Sequence, residues 1–207
     1  MHSRMYMQFL KNIRLRLTDS TKYVKLFPEN LCGKQMKQKA ETFLRILGID
    51  PGLATMGWGV IETDGSRHRL IQYGTLGTPP GQSFPVRLRA IDSGVQQLLD
   101  TFKPDDIAFE ELFFARNVTT ALSVGAARGV ALVACSRYTD NLYEYTPMQI
   151  KQAVVGYGKA DKHQVQTMVR MLLGMKDVAR PDDAADALAA AITHAHSARS
   201  RELFKIK

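Results

Sequence analysis

Three strand-like runs in close succession constrain the fold of this 207-residue chain more than any other feature. The runs are LRILGID (44–50), TMGWGVIET (55–63) and RLIQYGTLGT (69–78). Asp64 and Gly65 form a turn signal between the second and third runs. The pattern predicts three consecutive strands in hairpin connection.

Helical periodicity and short apolar runs alternate in the rest of the chain. We predict helices over 85–102, 119–138, 164–173 and 182–197, a buried strand in DDIAFEELF (105–113) and a fifth strand in LYEYT (142–146). This order of elements predicts an α/β fold in which helices cover both faces of a mixed five-stranded sheet.

Basic residues are concentrated at the start of the chain. Residues 1–43 contain nine Lys or Arg and three Asp or Glu, whereas residues 44–207 contain 19 and 17, so most of the net charge of +8 lies in the first segment. Apolar residues in that segment do not recur with the period of a strand, 2, or of a helix, 3.6, over any sustained stretch. The segment also has no cleavage site of a secretory signal. We predict a basic extension over 1–43, either disordered or created by an upstream start codon, a domain over 44–200 and a tail over 201–207.

The sequence predicts neither a membrane span nor a disulfide framework. The longest apolar stretch, 129–135, is bounded by Arg128 and Arg137, and it is far shorter than the about 18 residues that a span requires. Two cysteines, Cys32 and Cys135, are too few for a disulfide-stapled fold. We therefore expect a cytoplasmic protein without a membrane partner.

Four acidic residues stand where predicted strands end or where the last helix begins. Asp50 ends the first strand, Glu110 ends the fourth, and Asp183 and Asp186 lie three residues apart near the start of the helix. Residues three apart share a helix face, and Asp182, four residues before Asp186, is a geometric alternative. Acids in a first helical turn can also simply complement the helix dipole.

The surroundings of Asp50 and Glu110 favour a functional role. Both follow apolar runs, where a charge is costly unless it is paired or bound to a cation. Hard ions such as Mg²⁺ bind carboxylate and phosphate oxygens, and Mn²⁺ accepts the same ligands. No Cys or His cluster has zinc spacing, and we assign His194 and His196 to packing or to the surface. The acids predict metal-assisted hydrolysis of a phosphodiester.

Five motifs follow one another along the chain. They are LGIDPGLATMGWGVIE (47–62), IAFEELFFARN (107–117), VGAARGVALVA (124–134), QIKQAVVGYGKADKHQVQTMV (149–169) and DDAADALAAAITHAH (182–196). In this order they closely resemble the bacterial RuvC family of Holliday-junction resolvases. The resemblance extends from residue 44 to about residue 197, and the first 43 residues have no counterpart in the family pattern.

The resemblance implies an RNase-H-like fold and a structure-selective endonuclease. Asp50, Glu110, Asp183 and Asp186 match the catalytic, metal-binding acids of the family, and this match favours Asp183 over Asp182. The implied activity is symmetric cleavage of four-way (Holliday) DNA junctions in homologous recombination and DNA repair. The implied cofactor is Mg²⁺, for which Mn²⁺ can substitute.

The same resemblance implies three residues that contact DNA, and the loop between two of them adds Lys159 as a candidate, for which a merely solvated lysine is the alternative. Phe113 matches an aromatic residue that stacks on bases near the junction point, although packing in the core is the alternative. Lys151 and Lys162 match functionally important lysines of the family. They flank a glycine-containing loop that includes Lys159, and such a basic turn is suited to a phosphate backbone.

The expected protein partners are a second copy of the chain and a branch-migration complex. Gly125 and Gly129 lie inside a predicted helix, where each costs about 1 kcal/mol, which suggests that another backbone approaches, either the sheet or a second subunit. Family members are homodimers, and a two-fold dimer matches the approximate symmetry of a four-way junction. The resemblance also implies a hexameric branch-migration motor and its junction-binding partner, of the RuvA–RuvB type.

Three other functions compete with this interpretation. The run GIDPG (48–52) also resembles the phosphate loop of actin-like ATPases and sugar kinases, but that superfamily needs a second, related domain for which this chain has no room. A non-catalytic junction-binding module of the same fold would be expected to have lost one or more acids. A related nuclease that acts on RNA or on RNA–DNA hybrids is the third alternative.

Overall fold

The computed structural model describes residues 43–112 and 118–207. Its strands are β1 (Leu44–Asp50), β2 (Thr55–Thr63), β3 (His68–Gly77), β4 (Asp106–Glu110) and β5 (Leu142–Tyr145). Its α-helices are α1 (Phe84–Phe102), α2 (Val118–Ser136), α3 (Pro147–Val155), α4 (Lys162–Leu172) and α5 (Asp182–His196), followed by a 3-10 helix, Arg201–Phe204.

The five strands form one mixed sheet in the order β3-β2-β1-β4-β5. β1 pairs antiparallel with β2, and β2 pairs antiparallel with β3, as the hairpin signals predict. β4 is parallel to β1 and to β5. The sheet confirms the predicted α/β fold with a mixed five-stranded sheet.

Alternation along the strands creates two apolar faces. On β1, Ile46 packs on the side of α3, α4 and α5, whereas Leu47 and Ile49 pack on the side of α1 and α2. All three side chains are fully buried. Helices therefore cover both faces of the sheet. The side chains of the last residues of β1 and β4 lie on the face that α5 covers.

Helix α3 is absent from the predicted elements. It has nine residues and buries only Ile150 and Val154, so its apolar period is too short to stand out. Its start is fixed by a capping box in which Thr146 accepts from the Gln149 backbone N–H and the Gln149 side chain accepts from the Thr146 backbone N–H. It ends at Gly156, whose φ of 96° favours glycine.

The predicted tail over 201–207 returns to the edge of the sheet. Lys205 forms a β-bridge with Tyr143, and the Ile206 N–H donates to the Leu142 carbonyl at 2.9 Å. Arg201 Nη1 lies 3.1 Å from Asp106 Oδ2 at the start of β4. The tail therefore covers part of the edge strand β5.

His194 is a packing residue, as predicted. It is buried between Tyr145, whose Oη lies 2.8 Å from Nδ1, and Asp106, whose Oδ2 lies 2.9 Å from Nε2. These partners satisfy both ring nitrogens of a buried imidazole. Asp106 is at the opposite end of β4 from Glu110, so this network is remote from the ends of β1 and β4.

Two of the sequence predictions fall on residues that lie outside the described ranges. These are Phe113 and all but the last residue of the extension over 1–43, and both stay predictions. Within the described ranges, no helix has the length and apolar character that crossing a membrane requires.

Candidate metal-binding active site

Asp50 and Glu110 end two neighbouring parallel strands. Ile49 of β1 is in register with Phe109 of β4, so the next residue on each strand is an acid at the same edge of the sheet. Both acids lie on the α5 face, because they alternate with Ile49 and Phe109, which pack on the opposite face. The parallel pairing of β1 and β4 therefore brings together two acids that are 60 positions apart in the sequence.

Helix α5 brings two more acids to this edge. It begins at Asp182, so Asp183 and Asp186 lie in its first two turns. The negative charges of Asp186 and Asp183 both raise the pKa of Asp50, and the charge of Asp186 also raises that of Glu110. The structure thus places the four acids predicted from the sequence within electrostatic reach of one another.

Burial makes the negative charge of this cluster expensive. Loss of solvent contact is the main cause that raises the pKa of Asp50 from 3.8 to about 7, and the nearby acids add to it. Burial and the charges of Asp50 and Asp186 raise the pKa of Glu110 from 4.5 to about 8. Burial also raises the pKa of Asp186 despite its hydrogen bond with Lys162. A bound cation would relieve this cost.

Lys162 is the cation in contact with the acids. Its Nζ donates to Asp186 Oδ2 at 3.1 Å and lies 3.4 Å from Asp182 Oδ2. Partial burial lowers the pKa of Lys162, but these carboxylates outweigh that effect and hold the pKa above its ordinary value. The charge of Lys162 lowers the pKa of Asp50, and Lys162 and Lys151 both act in the same direction on Glu110.

Asp182 occupies a different environment from Asp183. Arg180 Nη1 donates to Asp182 Oδ1 at 2.5 Å, and the Asp182 side chain is 43% exposed. The acids whose charges act on Asp50 are Asp186 and Asp183. The charge of Asp183 acts on both Asp50 and Asp186, whereas the charge of Asp182 acts on Asp186 and its side chain contacts Arg180 and Lys162. This difference favours Asp183 as the acid of the cluster, a choice that spacing alone leaves open.

The remaining predicted DNA-contacting residues are placed differently. Lys151 is half-buried on α3, whereas Lys159 is exposed in the loop between α3 and α4. Arg180, which contacts Asp182 at the rim of the cluster, is not among the residues predicted from the sequence. The signal available for Arg180 was its position two residues before the acidic start of α5.

The donor chemistry of the cluster fits a hard divalent cation. Its four candidate ligands are carboxylates, and oxygen donors are what Mg²⁺ and Mn²⁺ prefer. Within residues 43–112 and 118–207, no three His, Cys, Asp or Glu side chains converge closely enough to hold an ion as they stand. The negative charges of the acids repel one another, and Lys162 contacts Asp186. A bound cation would offset the repulsion among the acids and would compete with Lys162 for Asp186.

Comparison with known proteins agrees with the resemblance seen in the sequence. The family model for crossover junction endodeoxyribonuclease RuvC matches residues 46–194. The chain is 54% identical over 169 residues to the protein of that name from Rubrobacter xylanophilus, which covers 82% of this chain and 91% of the relative. It is also 54% identical over 163 residues to the RuvC of Chloroflexus aggregans, with 79% and 99% covered.

Solved structures give the same relationship. RuvC of Thermus thermophilus in complex with a Holliday junction substrate superimposes with a TM-score of 0.72 at 41% identity, covering 75% of this chain and 95% of that one. The yeast mitochondrial Holliday junction resolvase Ydc2 has a TM-score of 0.57 at 14% identity, covers 78% and 83%, and shares the fold alone. Sequence, fold and the family match together show that this chain belongs to the RuvC family of crossover junction endodeoxyribonucleases.

Proposed function

We propose that this protein is a metal-dependent endonuclease that resolves four-way DNA junctions by symmetric hydrolysis of phosphodiester bonds. Its role is in homologous recombination and DNA repair. The observation that carries the proposal is the acidic cluster, in which the ends of β1 and β4 and the start of α5 contribute carboxylates; burial and neighbouring acids raise the pKa of Asp50, Glu110 and Asp186. The family match and the junction-bound relative support the choice of substrate.

Asp50, Glu110, Asp183 and Asp186 would hold the cation, which we propose is Mg²⁺ with Mn²⁺ as a substitute. When bound, a divalent ion polarises the phosphate and lowers the pKa of a water molecule. The acids supply negative charge at one edge of the sheet, and their burial limits the water that competes for a cation. Rigid attachment to β1, β4 and α5 fixes where a phosphate can approach.

The lysines next to the acids would orient the DNA backbone. Lys162 already contacts a carboxylate at 3.1 Å, so its Nζ lies where a phosphate that approaches the cluster can be met. Lys151 adds positive charge near Glu110. Lys159 projects from the exposed loop between α3 and α4 and would reach the backbone farther from the cleaved bond. Phe113 would stack on a base at the junction point.

A homodimer would supply the second active site that symmetric cleavage requires. Leu122, Gly125, Gly129 and Val133 fall at helical spacing on one side of α2, and Leu122 and Val133 are 73% and 50% exposed. Among residues 43–112 and 118–207, a Cβ added to Gly125 or Gly129 would meet nothing within 4 Å, so close packing against the sheet does not explain these glycines. An exposed apolar stripe with helical glycines fits an isologous contact with a second copy.

The cellular setting follows from the same proposal. Cys135 is a free, buried thiol, as expected of a protein that acts in the reducing cytoplasm. A branch-migration complex of the RuvA–RuvB type would present the junction, as the family resemblance implies. The non-catalytic module and the nuclease acting on RNA–DNA hybrids are separate outcomes of the following experiment.

Cleavage of a synthetic four-way junction, labelled on each strand in turn, tests the proposal. Paired nicks on opposing strands are expected with Mg²⁺ or Mn²⁺, and none with EDTA or with a linear duplex of matching sequence. The Asp186→Asn variant should bind the junction but leave it uncut, because it loses a metal ligand and no phosphate contact. Binding without nicks by the parent protein would indicate a non-catalytic module, and preferential cutting of an RNA–DNA hybrid would indicate the other nuclease class.

A further inference from the structure

The backbone of α5 rests directly on the backbone of the β1–β2 strand pair. A Cβ added to Gly57 would lie 1.9 Å from the carbonyl oxygen of Asp183 and 2.3 Å from its carbonyl carbon. One turn farther along α5, a Cβ added to Gly48 would lie 2.0 Å from the Ala187 carbonyl oxygen. These separations are far below the about 3.5–4.0 Å at which carbon atoms pack. Glycine at both positions therefore sets how closely α5 approaches the sheet.

The contact at Gly57 lies between the two halves of the acidic cluster. Gly57 of β2 is in register with Asp50 of β1, and the atoms that a Cβ on it would meet first belong to Asp183 of α5. The same point of contact thus adjoins one acid contributed by the sheet and one contributed by the helix. A change in helix height at this point changes the separation of those two acids.

We propose that Gly57 is a positioning residue of the active site, which holds the first turn of α5 at the height at which Asp183 and Asp50 can share one cation. This inference rests on the proposed function, because the shared cation belongs to that proposal. Gly57 has no side chain with which to bind a substrate or a metal. Its effect is transmitted through the Asp183 carbonyl group, against which its Cα packs.

Gly59 supplies a matched control on the same strand and the same face. A Cβ on Gly59 would meet the Leu188 side chain first, at 2.5 Å from Cδ2 and 2.7 Å from Cγ, and the Leu188 Cα only at 3.4 Å. The Gly59→Ala change therefore displaces a core side chain, whereas the Gly57→Ala change must displace helix backbone. Both alanines disturb the packing of α5, but only the one at residue 57 acts next to an acid of the cluster.

The experiment compares the parent protein, Gly57→Ala and Gly59→Ala in cleavage of a four-way junction over a range of Mn²⁺ concentrations. Relief of the clash requires the first turn of α5 to move by more than about 1 Å, and a misplacement of that size costs about 100-fold in rate. We expect kcat of Gly57→Ala to fall about 100-fold and its half-saturating Mn²⁺ concentration to rise about 10-fold. Junction affinity in EDTA should stay unchanged. Gly59→Ala should lower the Tm and retain the parent kcat and Mn²⁺ dependence at a temperature at which it is folded.

The outcomes separate this inference from the proposed function. A parent protein that cuts no junction refutes the proposed function itself. A cutting parent together with a folded Gly57→Ala protein of unchanged kcat and Mn²⁺ dependence refutes the positioning role alone. The positioning role would also be refuted if kcat and the Mn²⁺ dependence of Gly59→Ala changed as much as those of Gly57→Ala. General disturbance of the packing of α5 would then suffice to explain the loss.

If Gly57→Ala fails to fold, a crystal structure of the parent protein with Mn²⁺ provides the second measurement. The proposal predicts that the ion bridges Asp50 and Asp183 while the Asp183 carbonyl group stays in contact with the Gly57 Cα. A metal-bound structure in which the first turn of α5 stands away from β2 would overturn it.

Discussion

In the absence of metal, the Asp50→Asn variant should be more stable than the parent protein at pH 8. The carboxyl of Asp50 has its pKa raised from 3.8 to about 7, so ionisation costs more in the folded state than in the unfolded state. Stability linked to this group is fully present below pH 3.8 and is lost as the pH rises through about 7. Asparagine keeps the size of the side chain and removes the charge.

The size of the effect follows from the pKa shift. At 1.36 kcal/mol for each pKa unit, the rise from 3.8 to about 7 corresponds to at most about 4 kcal/mol. The charges of Asp186 and Asp183 contribute to the raised pKa of Asp50, and the charge of Asp50 contributes to that of Glu110, so these acids titrate together and a single substitution recovers only part of that amount. We expect the free energy of unfolding of Asp50→Asn to exceed that of the parent by about 1–2 kcal/mol at pH 8.

Urea denaturation in EDTA at pH 5 and at pH 8 measures this difference. The gain should be larger at pH 8, because the parent protein loses stability as the acid ionises. Asp100 is an exposed acid near the C-terminal end of α1. As a control, Asp100→Asn should differ from the parent by the same small amount at both pH values. An Asp50→Asn protein that is less stable than the parent at pH 8, or whose gain does not depend on pH, would contradict the predicted cost of ionising Asp50.

Three further predictions concern the DNA contacts, the lysine of the cluster and the dimer. Phe113→Ala should reduce junction cleavage while the Tm stays within a few degrees of the parent value; a large drop in Tm would instead assign Phe113 to the core. Lys162→Met should move the pH dependence of Mn²⁺ binding, followed by calorimetry, to higher pH, because Lys162 lowers the pKa of Asp50 and Glu110; the exposed Lys176→Met is the control, and an unshifted profile would contradict the electrostatic argument. Leu122→Arg should convert a dimer into a monomer in sedimentation experiments. Leu203→Arg, at a position that is even more exposed, should leave the dimer intact. A Leu122→Arg protein that remains dimeric would exclude the apolar stripe on α2 as the dimer contact.

The sheet could be predicted because its strands carry strong local signals. β1, β2 and β3 lie within one residue of their predicted bounds, since apolar alternation and the turn at Asp64 and Gly65 act over short distances. Helix α3 escaped prediction because tertiary contacts rather than periodicity support it. The return of residues 201–207 to β5 depends on the Lys205–Tyr143 pairing, which no local pattern indicates.

The four acids of the candidate site could be identified from the sequence, but the contacts that they and their neighbours make could not. Asp50 and Glu110 stood out as charges that end apolar strands. The choice of Asp183 over Asp182 came from family resemblance and stays a prediction, which the contact of Asp182 with Arg180 and the effect of Asp183 on Asp50 favour. The contact between Lys162 and Asp186 joins residues 24 positions apart and depends on the packing of α4 against α5. The role of Gly57 also requires knowledge of which backbone lies above it.

Calorimetric titration of Mn²⁺ into the parent protein and its single amide variants tests the central claim that Asp50, Glu110, Asp183 and Asp186 form one cation site from which Asp182 is excluded. We expect each of the four substitutions Asp50→Asn, Glu110→Gln, Asp183→Asn and Asp186→Asn to weaken Mn²⁺ binding by at least about 10-fold. Asp182→Asn should change the affinity by less than about 2-fold, as expected for an exposed acid paired with Arg180. A Mn²⁺ affinity that depends strongly on Asp182 but not on Asp50 or Asp183 would contradict the assignment of the cation site to these four acids.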